Sequence, residues 1–330
     1  MQGARAVLIT GGTGFIGSAL ARVALERGWS VHLLGRDFSR AESLLAAGAR
    51  AISCDLRSRD GVVAACEGVD MVFHIGAFSA PWGDSVEFHA TNVGGTENIL
   101  AACRVHKIAH LVHVSSPSVV FTGCDQWQLP DDAPYPKRFA SVYSQTKKLA
   151  EDRVNAAFAE GSGLSGVILR PKAVFGPGDT SLLPRLIAAA RAGRLPRIGE
   201  GKNLVELTYI DNAVAALLCA ADAPKAALGK TFTITNHEVV PLWEVIAQVL
   251  AGLKIPWQPR TIPLPLALLA ASLMERKAER TGKEPLLTRY TVQLLARTQT
   301  YDTQPARKLL GYMPQLTLSE GIARTIQALT

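Results

Sequence analysis

Residues 6 to 17 run Ala6-Val7-Leu8-Ile9-Thr10-Gly11-Gly12-Thr13-Gly14-Phe15-Ile16-Gly17. The apolar, β-branched opening predicts a buried strand. A glycine-rich turn follows, and Ser18-Ala19-Leu20-Ala21-Arg22-Val23-Ala24-Leu25 continues as a helix. Strand, glycine turn and helix in that order form the first half of a dinucleotide-binding unit. Gly12, Gly14 and Gly17 fit G-x-G-x-x-G, and Gly11, Gly14 and Gly17 fit the wider G-x-x-G-x-x-G. One glycine permits the turn, one lets backbone approach a pyrophosphate, and one lets the helix pack on the strand. Phe15 and Ile16 open the helix, whose free N–H groups and positive dipole end suit phosphates. A glycine pattern alone is a weak signal; the strand before it and the helix after it carry the reading.

The rest of the composition sets bounds. A chain of 330 residues with 48% hydrophobic and 19% charged residues is that of a globular protein with a large core. The formal net charge of +7 is spread along the chain. No basic stripe of the kind nucleic acid requires is visible. The five cysteines show no C-x-x-C spacing, so neither disulfides nor zinc are expected, and a reducing, cytoplasmic setting is favoured. The start of the chain does not have the pattern of a signal peptide. The seven histidines lack metal-site spacing. His110 and His113 fall on one predicted strand and face opposite sides.

Further strands follow at a βαβ rhythm, which predicts a doubly wound, mostly parallel sheet. Val31-His32-Leu33-Leu34 is the second and ends at Gly35-Arg36. An acid at this tip selects NAD, and an arginine accommodates the extra phosphate of NADP. Arg36 therefore predicts NADP(H) ahead of NAD(H), with Arg40 near enough to assist and Asp37 as the rival. Ala51 to Leu56 is the third strand, with Asp55 placed to meet the adenine or to cap the next helix. Met71 to Ala77 is the fourth and closes on Gly76 and Ala77, small residues beside which a cofactor can lie. His110 to Ser116 is the fifth and ends in two hydroxyls.

Downstream comes Ser141-Val142-Tyr143-Ser144-Gln145-Thr146-Lys147. Tyr143 and Lys147 are four apart on a predicted helix and share a face. A phenol is a poor acid or base near neutrality, with an ordinary pKa of about 10. A neighbouring ammonium lowers it, which would make Tyr143 a proton donor and acceptor. Ser116, closing the preceding strand, can hold a substrate carbonyl oxygen beside it. By itself a Tyr/Lys pair at this spacing is an ordinary solvated face. The glycine unit and the Ser-Ser strand end raise it to a catalytic set.

With these residues in hand, the chain resembles the extended short-chain dehydrogenase/reductases, a Rossmann-fold family. The matching pieces are Thr10 to Gly17, Asp55-Leu56, Asn92 to Thr96, Ser115-Ser116, Tyr143 to Lys147, Leu169-Arg170-Pro171 to Gly178, Tyr209 to Asn212, and Leu310-Gly311-Tyr312 to Gly321. Within the family it is similar to the 3β-hydroxysteroid dehydrogenase branch. More narrowly, it is similar to bacterial reductases of 2-alkyl-3-oxoalkanoates in long-chain olefin synthesis. That likeness rests on Ala80 to Gly83, Ser116 to Val119, Gly176 to Leu186, Gly199 to Val205 and Glu284 to Arg289. The resemblance implies a catalytic Ser116, Tyr143 and Lys147, with Lys147 also holding the nicotinamide ribose; Ser115 is the alternative for the serine, and Ser116 is preferred because Val119 falls three residues later, as in the family's pattern. It implies Leu56, Asn92 and Pro171 at the cofactor, and Ser116, Pro117, Trp82 and Arg185 at the substrate. It also implies a homodimer.

The expected organisation is a dinucleotide-binding domain over 1–170 and a smaller substrate lobe over 171–330, with some lobe segments returning to the sheet. Arg185, Arg191 and Arg194 are candidates for a carboxylate, which guanidinium matches bidentately. Ile262 to Met274 is the most apolar run but is shorter than the ~20 residues a membrane helix needs. Core helix, acyl-chain lid and peripheral membrane contact all stay open for it. The expected reaction is NADP(H)-linked interconversion of ketone and alcohol on a lipid-like small molecule, by reduction of a 2-alkyl-3-oxoalkanoate. Sterol dehydrogenation, nucleotide-sugar epimerisation or dehydration, and non-catalytic NADP sensing are the alternatives. The apolar run argues against a sugar nucleotide, and the complete Ser/Tyr/Lys set argues against a sensor.

Overall fold

The seven strands at the centre of the molecule are β1 Ala6–Thr10, β2 Ser30–Gly35, β3 Arg50–Ser53, β4 Met71–His74, β5 His110–Val114, β6 Ser165–Pro171 and β7 Thr231–Ile234. The computed structural model describes residues 5–159, 161 and 163–330. The strands lie in the order β7-β6-β5-β4-β1-β2-β3, every neighbouring pair parallel. The order reverses between β1 and β4, and ligands of such sheets bind in the crevice beyond the carboxyl ends at that point.

Helices α1 Phe15–Glu26, α2 Arg59–Ala65, α3 Gly95–His106, α4 Val142–Ala159 and α5 Ile210–Ala221 pack on the sheet. Alternate side chains of a strand face opposite ways. Val7 and Ile9 accordingly join Leu20 and Ala24 of α1 and Leu217 of α5 in one core. Leu8 joins Val62, Ile99 and Val154 of α2, α3 and α4 in the other. Both faces of β1 are covered, which is why it reads as a continuous apolar run.

The chain does not divide cleanly at residue 170. It leaves the sheet at Pro171, comes back through α5 and β7, and leaves again. It returns once more with the helix Gln304–Lys308, and Ala306, Leu310 and Tyr312 join the core beneath α1. The lobe outside the sheet holds helices Leu182–Arg191 and Leu242–Gly252, then α6 Leu264–Thr281, α7 Arg289–Ala296 and Leu318–Leu329. A short strand, Gln299–Tyr301, pairs with Leu204–Val205 and with Gln126–Leu129, tying the lobe together.

The apolar run at 262–274 forms most of α6. Its small residues Ala267 and Ala271 face inward with Glu275 and Ala278, while Leu266, Leu269 and Leu273 are exposed. Leu264 and Leu268 pack partly against the lobe core, so the helix divides its leucines between core and solvent. Among the described residues no helix is long and apolar enough to cross a membrane.

Candidate active site

The turn after β1 is set by close backbone approaches. Gly11 has φ +64°, and a Cβ there would stand 2.8 Å from Cα of Gly76, the residue reached just beyond β4. A Cβ on Gly17 would collide with the Gly11 carbonyl oxygen. Helix α1 starts from Gly14 with no side-chain cap and no acid in its first turn. An uncapped N-terminus of this kind, in a cradle that side chains would fill, fits a pyrophosphate. Gly76 is fixed from below. Its N–H donates to Thr10 Oγ1 at 2.9 Å, which contacts His74 Nδ1 at 2.9 Å, and His74 Nε2 contacts Thr96 Oγ1 at 2.9 Å. Thr96 donates onward to the Asn92 carbonyl at 2.7 Å, so His74 carries its proton on Nε2. Burial pushes His74 down to about 3, so the ring stays neutral in this chain of bonds.

Beyond the tips of β2 and β3 the acids are already engaged. Asp37 accepts from the Ser39 backbone and hydroxyl at 2.9 and 3.0 Å, and so turns back on its own loop. Asp55 accepts from Arg57 Nε at 2.9 Å and Nη2 at 2.7 Å, with Arg36 at 3.8 Å. The Arg57 hydrogen bond is the largest cause that brings Asp55 down to about 2. Asp55 caps no helix; Ser58 caps α2. Arg36 and Arg57 together form a cationic corner beside the tips of β2 and β3. Leu56 packs under Gly76 and Gly95.

Tyr143 and Lys147 lie in the first turns of α4. Tyr143 shares its cavity wall with Ser79 and Ser116, whose hydroxyls favour its phenolate form. Ser116 stands at the start of the short turn Pro117–Val120, its Oγ accepting from the Ser118 N–H at 3.2 Å. Its neighbour Ser115 is buried, and its hydroxyl has no partner among the described residues. The Lys147 ammonium donates to the Val114 carbonyl at 2.7 Å, and burial brings it down to about 8. The lowering of Tyr143 anticipated from Lys147 is absent. Burial raises the phenol instead, opposed only by the two serine contacts. The reason is placement: Lys147 spends its ammonium on the end of β5 rather than on the ring one turn above.

Gly11, Gly14 to Gly17, Gly76 and Ala77 at one end, and Ser116, Pro117, Tyr143, Lys147 and Pro171 at the other, line one cavity of about 630 Å³. Arg36, Asp55 and Leu56 lie off its wall, and so do Asn92, Arg185 and Trp82. Asn92, in the π-helical segment His89–Gly94, is buried. It accepts from the Phe78 N–H at 2.7 Å and donates to the Phe78 carbonyl at 3.1 Å and to Thr146 at 3.0 Å, so it braces the cleft from behind. Arg185 is exposed and pairs with Glu284 at 2.8 Å. Trp82 lines a neighbouring cavity of about 580 Å³, which shares Tyr143 and Tyr290 with the first.

Sequence reading missed Ser79, Lys172, Tyr290 and Gln299, all on the wall of the main cavity. Tyr290 opens α7 and is raised by burial and by its neighbour Tyr143. The stretch from Glu284 to Arg289, which carried part of the resemblance, stops one residue short of it.

The family profile described as 3-beta hydroxysteroid dehydrogenase/isomerase matches residues 8–266. A 2-alkyl-3-oxoalkanoate reductase of Stenotrophomonas maltophilia is 40% identical over 325 residues, spanning 96% of this chain and 97% of its own. A decarboxylating sterol-4-alpha-carboxylate 3-dehydrogenase of Mus musculus is 33% identical, with 98% and 91% covered. Among solved structures, MoeE5 in complex with UDP-glucuronic acid and NAD superposes with a TM-score of 0.76 at 26% identity, over 98% of each chain. A UDP-glucose 4-epimerase of Thermotoga maritima, with UDP-glucose, reaches 0.78 at 18% identity over 98% of each chain and shares the fold. The chain belongs to the 3-beta hydroxysteroid dehydrogenase/isomerase family, a branch of the extended short-chain dehydrogenase/reductases, and is a nicotinamide-dependent oxidoreductase acting on a CH–OH group or its ketone.

Proposed function

We propose that the protein reduces a 2-alkyl-3-oxoalkanoate, or a closely related 3-oxo acid, to the 3-hydroxy acid with NADP(H). The observation that carries this reading is the gathering of Ser116, Tyr143 and Lys147 on the wall of the glycine-cradled cavity, with Lys147 buried one turn along α4 from Tyr143. The relatives support the substrate class. The names of the reductase and of the sterol enzyme both put an oxygen at C3 and a carboxyl group on the adjacent carbon.

Bound along the cradle, the cofactor supplies or accepts the hydride. Tyr143 gives its proton to the ketone oxygen in reduction and takes it back in oxidation. The raised phenol stays protonated near neutral pH, which suits reduction. Ser116 Oγ holds the same oxygen against Tyr143. Lys147, buried on the same wall with its ammonium anchored on the Val114 carbonyl, would hold the nicotinamide ribose. Arg36 and Arg57 supply the cationic corner for the NADP phosphate, because Asp37 and Asp55 are bonded to their neighbours.

The test is a nicotinamide absorbance assay with a 2-alkyl-3-hydroxy acid and a 3β-hydroxysterol, each with NADP and NAD. Turnover of the hydroxy acid with NADP is expected. Tyr143→Phe should lower kcat by about 10²–10⁴-fold while cofactor binding persists. Turnover of the sterol alone moves the protein to steroid chemistry. Silence on both, or full activity in the variant, overturns the reading.

A further inference from the structure

Lys172 comes directly after β6 and is 9% exposed; Gln299, in the lobe strand, is 2% exposed. Both line the cavity that also holds Ser116 and Tyr143. The Lys172 ammonium donates to Gln299 Oε1 at 2.6 Å. An ammonium has three N–H donors, and this is the single hydrogen bond it makes among the described residues. The contact orients the Gln299 amide, whose buried Nε2 has no partner among the described residues.

Glu206 supplies counter-charge to Lys172 through space. Its own oxygens are taken, Oε1 by the Thr235 hydroxyl at 3.0 Å and Oε2 by the Tyr301 N–H at 2.6 Å. The ammonium also lies over the Tyr301 ring, 5.8 Å from its centroid, a contact that takes no hydrogen-bond acceptor, so donors are left over beside the unspent Gln299 amide N–H. Buried donors without acceptors are costly, and most costly when charged. A planar, anionic acceptor able to take several such bonds completes the set, and a carboxylate has that form.

We propose that Lys172 Nζ and Gln299 Nε2 receive the carboxylate of the substrate while its ketone lies at Tyr143 and Ser116. This rests on the reading of the chain as a 3-oxo acid reductase. The arginines that sequence offered for the task are elsewhere: Arg185, Arg191 and Arg194 are exposed and off the cavity wall. Lys147 and Lys172 are the cationic side chains on that wall among the described residues, and Lys147, one turn from Tyr143 on α4, already belongs to the proposed catalytic set.

The consequence is selectivity for a free acid over its ester. A 2-alkyl-3-hydroxyalkanoate and its methyl ester are each oxidised with NADP, and the ratio of their kcat/KM values is compared among variants. The wild type is expected to prefer the acid. Lys172→Met should lower the acid-to-ester ratio by about 10–100-fold. Lys172→Arg should keep most of it, and Gln299→Leu should lower it less. If Lys172→Met fails to give a folded protein, Gln299→Leu carries the same comparison. An equal loss on acid and ester, or a wild type with no preference, overturns the carboxylate site and leaves the reductase reading intact. A wild type that oxidises neither compound overturns that reading and the site with it.

Discussion

Lys147 lies inside the protein with its ammonium on the Val114 carbonyl, and burial brings it down to about 8. Tyr143 moves the opposite way, so the phenol keeps its proton where the ammonium begins to lose its own. Reduction needs both groups protonated. Its kcat/KM should therefore be level below about pH 8 and fall by about tenfold per unit above it. A pH profile with NADPH checks this, and a profile level through pH 10 would remove Lys147 from the chemistry. Arg36 belongs to the same scale. It is 76% exposed on its side chain, with Asp55 its sole ion-pair partner among the described residues, at 3.8 Å. Arg36→Ala should lower the NADPH-to-NADH ratio of kcat/KM by about 10-fold or more, since hydrogen bonds to charged groups are the strong ones. Steady-state kinetics with both cofactors reads it. Placement that follows from near neighbours in the chain was legible, as with the close-packed glycine turn of 11–17 and the shared helix face of Tyr143 and Lys147. Lys172 and Gln299 are 127 apart, and Arg185 and Glu284 are 99 apart. Nothing local marks the first pair as a site or takes Arg185 out of one.

Helix α4 carries a third residue on the stripe of Tyr143 and Lys147, one turn further on. Glu151 is fully buried and accepts from Arg170 Nε at 2.8 Å, from Arg170 Nη2 at 2.7 Å and from the Tyr135 hydroxyl at 2.7 Å. It pins α4 to β6. It also helps Lys147 keep its proton against burial. Glu151→Gln removes the carboxylate hydrogen-bonded to the buried Arg170 and leaves it only the through-space charge of Asp131, so a loss of about 3 kcal/mol is expected in urea unfolding. The same change should move the fall in reductase rate to lower pH. The two readouts separate a structural strut from a residue that also tunes the site. At this scale the strands and the α1 turn were legible from their apolar runs and glycines. Helix α6 was not: its apolar run left core, lid and membrane contact open, and in the structure Ala267 and Ala271 face inward with Leu264 and Leu268 partly buried beside them. Composition gives the presence of an apolar face, and only its neighbours decide which residues it covers.

Strand β7 and helix α5 complete the sheet and the core under α1, and both come from beyond residue 170. A fragment 1–170 would leave β6 as an open edge and Leu20, Ala24 and Phe73 without their α5 partners. It should therefore show no cooperative melting transition and a tendency to aggregate. Circular dichroism against temperature checks this, and a sharp melt with cofactor binding would establish an autonomous first half. The parallel order of the sheet was legible from the βαβ rhythm. The repeated crossings were less so, because they depend on long-range packing of segments such as Ala306, Leu310 and Tyr312. Those crossings bear on how such a protein can be re-engineered. The cleft wall is assembled from separate visits of the chain, Lys172 just after β6, Tyr290 on α7 and Gln299 on a strand paired with Gln126–Leu129. A new substrate range cannot be transplanted as one C-terminal block; it has to be rewritten at the individual positions that face the cleft.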